Sequence, residues 1–201
     1  YESHKVLTYP RTDSRYLSSD IVSTLPERLK ACSVGEYRTL ANKVLTKPIK
    51  ASKSFVDDSK VSDHHAIIPT EEYVNFANFN DKERKIYDLV VKRFLAVLFP
   101  AHEYEQLTVQ AEIGKEKFIA RGKTVISAGW KEVYSNRFDD EETSEDVKEQ
   151  LLPRLEKGQV LNVTLLAQTS GQTKPPARFT EATILTAMEN PAKYMNTQNK
   201  A

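Results

Sequence analysis

The chain has 201 residues, 39% hydrophobic and 28% charged, which is enough apolar material for a packed core and excludes global disorder. Its net charge of +1 neither requires nor forbids a nucleic-acid partner, because a balanced total can hide a local basic face. The single cysteine, Cys32, excludes an internal disulfide and a cysteine-based zinc site.

That lone cysteine also points to a reducing compartment. No run approaches the roughly 20 apolar residues of a membrane span, so no membrane partner is expected. The length suits one large domain or two small ones. The chain opens YESHKVLTYP, without a signal-peptide pattern and without methionine. It is therefore expected to be an excised piece of a longer protein.

In chain order, KVLTYPRTDSRYL (5–17) reads as extended chain or loop. Pro10 lacks an N–H and keeps Tyr9 out of the helical region. SSDIVSTLPERLKAC then predicts a helix over about 19–30, with an N-cap at Ser18 or Ser19 and Pro26 placed to break it into two turns. Gly35 punctuates, and EYRTLANKVL predicts a second short helix ending near Pro48. Residues 49–63 are polar and rich in Lys and Ser, a loop. HHAIIPT (64–70) is a short apolar island behind two histidines.

NDKERKIYDLVVKRFLAVLF is the strongest helix in the sequence. Asn80 and Glu83 resemble a capping box, and Ile86, Leu89, Val90, Phe94, Val97 and Leu98 form the predicted apolar stripe. From His102 the period changes. YEQLTVQAEI alternates as a strand, Gly114 and Lys115 make a turn, and KFIARGKTVIS pairs back. The run DDEETSEDVKE (139–149) reads as a solvated acidic loop. VLNVTLLAQT (160–169) predicts a further strand, and SGQTKPPARF a linker. TEATILTAME predicts a helix capped by Thr180, before a polar, frayed end. The order is helical, then β, then a stub of helix, with no internal repeat.

The stretch LTYPRTDSRYL carries the clearest chemistry. A tyrosine can be a nucleophile, but its ordinary pKa of about 10 leaves roughly one phenolate per thousand at neutral pH. It needs cations or a base nearby. Arg11, two residues on in extended chain, faces the same way as Tyr9. A guanidinium forks onto two phosphate oxygens and keeps its charge. Tyr9 with Arg11 therefore suits attack on a phosphodiester, and Arg15 adds a second cation. Thr12, Asp13 and Ser14 can hold the loop by side-chain to backbone hydrogen bonds.

Taken alone, this stretch reads more readily as an ordinary loop. So does DHHAIIPT, where His64 and His65 could be ligands, acids or phosphate contacts. Adjacent histidines point apart, so at most one is expected in a site. Lys174 and Arg178 in TKPPARF make a rigid basic linker or a plain domain boundary. No D-x-D, P-loop or G-x-S-x-G occurs, and no metal site is read from the sequence.

Together, LTYPRTDSRYL, HHAIIPT and KPPARFTEATILTAME, in this order, resemble three motifs of the type IA DNA topoisomerases. The wording TYPRTDSRYL with DHHAIIPT is most similar to the bacterial topoisomerase III branch. The resemblance implies transient cleavage and religation of single-stranded DNA through a 5′-phosphotyrosine intermediate. Tyr9 matches the family's nucleophile and Arg11 the arginine that positions the scissile phosphate. His64 matches the histidine of H-x-A-I-x-P, a DNA contact; His65 carries less weight. Arg15, Lys174 and Arg178 are further DNA-binding candidates.

The implied fold class is α+β. A helical, winged-helix-like tyrosine domain (1–100) is followed by a β-rich arch or hinge segment (101–172). A linker and the start of a further helical domain (173–201) complete it. The resemblance places the magnesium-binding Toprim domain and most of the helical domain outside these residues, as partners from the same parent chain. It implies magnesium in the parent and none bound within this chain. The location implied is cytoplasmic and nucleoid-associated, and the fragment alone is expected to be inactive. The alternative is a non-catalytic module that binds single-stranded DNA through Lys, Arg and stacked aromatics. A tyrosine recombinase is disfavoured, because there the arginines and histidines usually precede the tyrosine.

Overall fold

In the computed structural model, described over residues 1–134, 151–173 and 175–194, the chain forms two compact units, Tyr1–Arg154 and Leu155–Ala201. The break falls inside the 101–172 segment expected as a hinge. Helices and a two-stranded antiparallel sheet make the fold α+β.

The expected first helix is two pieces. A 3-10 turn, Ser19–Thr24, leads into helix α1, Leu25–Cys32. Pro26 sits in the first turn of α1, where its missing N–H costs nothing. Helix α2 is Tyr37–Leu45 and helix α3 is Asp81–Leu98. The α3 capping box is complete. The Glu83 N–H donates to Asn80 Oδ1 at 3.0 Å, and the Asn80 N–H donates to Glu83 Oε2 at 2.8 Å.

Leu25 and Leu29 of α1, Ala41 of α2, and Tyr87, Val91, Phe94 and Leu95 of α3 build the core. The first half of the predicted α3 stripe was displaced: Ile86 and Leu89 are each 57% exposed. Phe94 is buried as predicted and Val97 and Leu98 pack against the core, but upstream of them the buried face runs through Tyr87, Asp88, Val91 and Lys92. Two polar side chains belong to it because they satisfy each other. Tyr37 Oη donates to Asp88 Oδ1 at 2.9 Å, and Lys92 Nζ meets the same oxygen at 2.8 Å.

Strands β1, Glu103–Ile113, and β2, Glu116–Ser127, form the expected hairpin, with Ile113 opposite Glu116. Gly114, at φ +66°, takes the turn position that favours glycine. The hairpin joins the helical part at a 3-10 turn, Gly129–Tyr134. There the Trp130 N–H donates to the Pro100 carbonyl at 2.9 Å. Lys43 of α2 pairs with Glu132 of this turn.

In the second unit, helix α4, Glu181–Glu189, is capped by Thr180, as the sequence predicts, and Thr183 completes a capping box there. The strand predicted over 160–169 is not there. Val160 is 89% exposed and Leu165 82%, and no described segment pairs with this stretch. Alternation alone does not make a strand; a ladder of hydrogen bonds to a neighbour does. The acidic run 139–149 and Lys174 lie outside the described residues, as does most of the polar end.

Candidate functional site

Two segments distant in sequence are stitched together around Tyr9. The Thr8 N–H donates to the Ile68 carbonyl at 2.9 Å, and the Thr70 N–H donates to the Val6 carbonyl at 3.0 Å. These bonds flank an antiparallel bridge between Leu7 and Pro69. Leu7 and Pro69 are thus the pair that exchanges no backbone hydrogen bonds, the one place where a proline fits without losing a donor. Thr8 Oγ1 also accepts the Ile68 N–H at 3.0 Å, and Thr70 Oγ1 donates to the Lys5 carbonyl at 2.6 Å.

Beyond Pro10 the hydroxyls hold the loop, as its composition led us to expect. Thr12 Oγ1 donates to the His64 carbonyl at 2.7 Å and accepts the Ser14 N–H at 3.0 Å. Ser14 Oγ donates to the Lys60 carbonyl at 2.7 Å. Asp13 Oδ1 accepts a long bond, 3.4 Å, from Ser62 Oγ. The Ala66 N–H donates to the Tyr16 carbonyl at 2.9 Å, and the Leu17 N–H to the Phe55 carbonyl at 2.8 Å. Residues 7–17 are therefore laced along 55–70 by short bonds rather than by a sheet.

This lacing sets the His64 ring against the Tyr9 ring, with centroids 4.6 Å apart. Tyr1 packs edge-on against Tyr9 at 5.3 Å. Tyr9 remains 38% exposed and faces a cavity of about 440 Å³ lined by Ser18, Asp20, Asp58, Asp63, His64 and His65, among others. Both histidines line it, although one was expected, because the chain bends at 62–64. Only His64 packs on Tyr9; His65 Nδ1 lies 2.7 Å from the Ala66 carbonyl oxygen.

The structure does not draw every candidate into this cavity. Arg11 and Arg15 are exposed and are not among its lining residues. Their side chains make no hydrogen bond or ion pair among the described residues, so both guanidinium groups can meet an incoming anion. Arg178 is exposed in the second unit. No group of three or more His, Cys, Asp or Glu among the described residues is arranged to hold a metal ion.

One basic residue escaped the sequence reading. Arg28 of α1 is buried, at 7% exposure. Its Nη1 donates to the Pro69 carbonyl at 2.9 Å, its Nε to Thr24 Oγ1 at 2.8 Å, and its Nη2 meets Glu71 Oε1 at 2.9 Å. The Pro69 carbonyl turns away from residues 5–9, so it needs a donor from another element. Burial pushes the guanidinium down from its ordinary value and Glu71 opposes that shift; the group stays charged. A helix-start Thr four residues before an Arg was the only hint in the sequence.

The profile of a family described as DNA topoisomerase matches residues 1–192. The chain is similar to the proteins named DNA topoisomerase 3 of Bacillus thuringiensis strain Al Hakam and of Bacillus anthracis, at 78% identity over 200 residues in each. It is also similar to that of Bacillus subtilis strain 168, at 57% identity over 200 residues. Each match covers 100% of this chain and 27% of the relative's length.

Proposed function

This chain belongs to the DNA topoisomerase family, and from that premise we propose that it is the part of a longer topoisomerase that carries the strand-cleaving tyrosine. The observation that carries this reading is the His64 ring packed on a half-open Tyr9 at a cavity mouth. The substrate is single-stranded DNA. Tyr9 Oη attacks a backbone phosphorus. An Oη–P bond forms and the bond from phosphorus to the 3′ oxygen breaks, leaving a 5′-phosphotyrosine and a free 3′ hydroxyl. The phenol gives up its proton and the leaving oxygen gains one. The reverse step reseals the strand with no net consumption of water, so topology changes without loss of a phosphodiester.

In this reading Arg11 meets the negative charge that builds on the phosphate, and Arg15 holds the neighbouring backbone. His64 keeps the phenol oriented and contacts the phosphate. Residues 1–100 act as the tyrosine domain, winged-helix-like in kind, and 101–172 as a hinge. Lys174 and Arg178 contribute DNA contacts from 173–201. The described residues do not fit magnesium, so no step here runs through it. We place the metal with a Toprim part of the longer chain.

The test is a detergent-quenched adduct assay on the full-length protein with labelled single-stranded DNA and magnesium. Tyr9→Phe is expected to abolish the adduct while DNA binding persists. A wild-type adduct yield in Tyr9→Phe contradicts the reading. Binding without any adduct, in the parent as well as the variant, favours a non-catalytic single-strand binding module.

A further inference from the structure

We propose that Arg28 is a positioning residue for the Tyr9 reaction, fixing the 68–71 segment to α1 and so setting where Tyr9 and His64 meet. The inference rests on the reading of Tyr9 as the nucleophile. Arg28 touches neither Tyr9 nor the cavity, so it acts through others. Its planar fork joins three places at once: Thr24 where α1 begins, the Pro69 carbonyl, and Glu71.

A buried guanidinium is a costly choice for a helix whose Leu25 and Leu29 already fill the core. An apolar side chain would pack that position without the desolvation. It would leave the carbonyl of Pro69, itself fully buried, without a donor. Pro69 lies opposite Leu7, and its neighbour Ile68 holds both the N–H and the hydroxyl of Thr8, one residue before Tyr9. The same segment runs back through Ala66 to His64. Without Arg28, residues 64–70 and 5–9 still hold each other and Ile68 still packs in the core with Leu25 and Leu29, but no other hydrogen bond among the described residues ties Pro69 to α1. Its hold on α1 is then apolar packing alone, which is not directional, so the Tyr9–His64 pair is placed less exactly against an incoming phosphate.

The experiment is single-turnover cleavage of labelled single-stranded DNA by the full-length protein, with DNA saturating, alongside the DNA Kd and the melting temperature. Arg28→Lys keeps the charge but cannot reach all three acceptors. It is expected to slow cleavage about tenfold or more, with Kd near wild type and a melting temperature that is lowered but still well above the assay temperature. A wild-type rate overturns the role. So does a rate that falls only in step with lost DNA binding or lost folded protein. Should Arg28→Lys not fold, Thr24→Val removes a single acceptor and carries the same comparison. Slower cleavage at unchanged Kd supports the role there, and wild-type cleavage overturns it. Tyr9→Phe is run in parallel. An adduct that survives in Tyr9→Phe removes the nucleophile reading itself. Loss of the adduct there, with a wild-type rate in Arg28→Lys, removes only the positioning role.

Discussion

The His64 ring lies against the Tyr9 ring at 4.6 Å between centroids, tilted by 48°. Thr12 Oγ1 holds the His64 carbonyl, so the contact is set by the backbone of both motifs and is not a chance meeting of side chains. Removing the imidazole takes away the packing on Tyr9 and, in the proposed reading, a hydrogen-bond partner for the phosphate. Bonds to charged groups contribute about 1.5–3 kcal/mol, so His64→Ala is expected to slow adduct formation about tenfold or more in the full-length protein. A time course of detergent-trapped adduct checks this. A wild-type rate would remove His64 from the site.

Alkaline stability is expected to fail early. Burial pushes the Cys32 thiol up to about 12 from its ordinary 9.0. Burial also raises the Tyr87 phenol above its ordinary 10.0, and burial followed by the Asp88 carboxylate raises Tyr37. The folded chain keeps these protons where the unfolded chain loses them. Stability from Cys32 is thus fully present below pH 9.0 and is lost as pH rises toward about 12. Urea midpoints measured across this range should fall, and Cys32→Ala should flatten the first part of the fall. The native thiol should also resist maleimide at mildly alkaline pH and react once unfolded.

Asn80→Ala removes the side-chain cap of α3, the helix that supplies more of the core than any other element. It is expected to cost about 1 kcal/mol in urea unfolding. The Glu83 half of the box adds an acid limb. The Asn80 N–H, and then His4, hold the Glu83 carboxyl below its ordinary 4.5. Its contribution is present above 4.5 and is lost as pH falls through the lowered value. Glu83→Gln should weaken that acid dependence.

Gly129 sits at φ +53°, and a Cβ there would overlap the backbone carbonyl of Ala101. The left-handed backbone alone disfavours a side chain by about 1–2 kcal/mol, and the overlap adds to it. Gly129→Ala is expected to lower the melting temperature sharply and to loosen the junction between α3 and the hairpin. Proteolysis between 99 and 103 would report the loosening. A wild-type melting curve would show that the junction can shift at no cost.

Much of this was legible in the sequence wherever the signal was local. The capping box at Asn80, the Gly114 turn and the alternation on both sides of it each specify their own geometry. The two motifs around Tyr9 and His64 were visible as motifs, but their pairing is a non-local fact carried by Thr8, Thr12 and Pro69. Arg28 was hidden because a basic residue on a short helix reads as solvated until its three partners are known. The first half of the α3 stripe, Ile86 and Leu89, was displaced because Tyr87 and the Lys92 stem count as core once Asp88 pairs with them, while Phe94 is buried as predicted. The 160–169 stretch shows the opposite failure, a strand pattern with no neighbour among the described residues to make it a strand.

The most direct measurement is to identify the residue that carries DNA. The full-length protein is incubated with labelled single-stranded DNA and magnesium, quenched with detergent, digested, and its DNA-linked peptide is sequenced by mass spectrometry. The account predicts a nucleotide 5′ phosphate on Tyr9. An adduct on any other residue, or intact binding with no adduct, contradicts it.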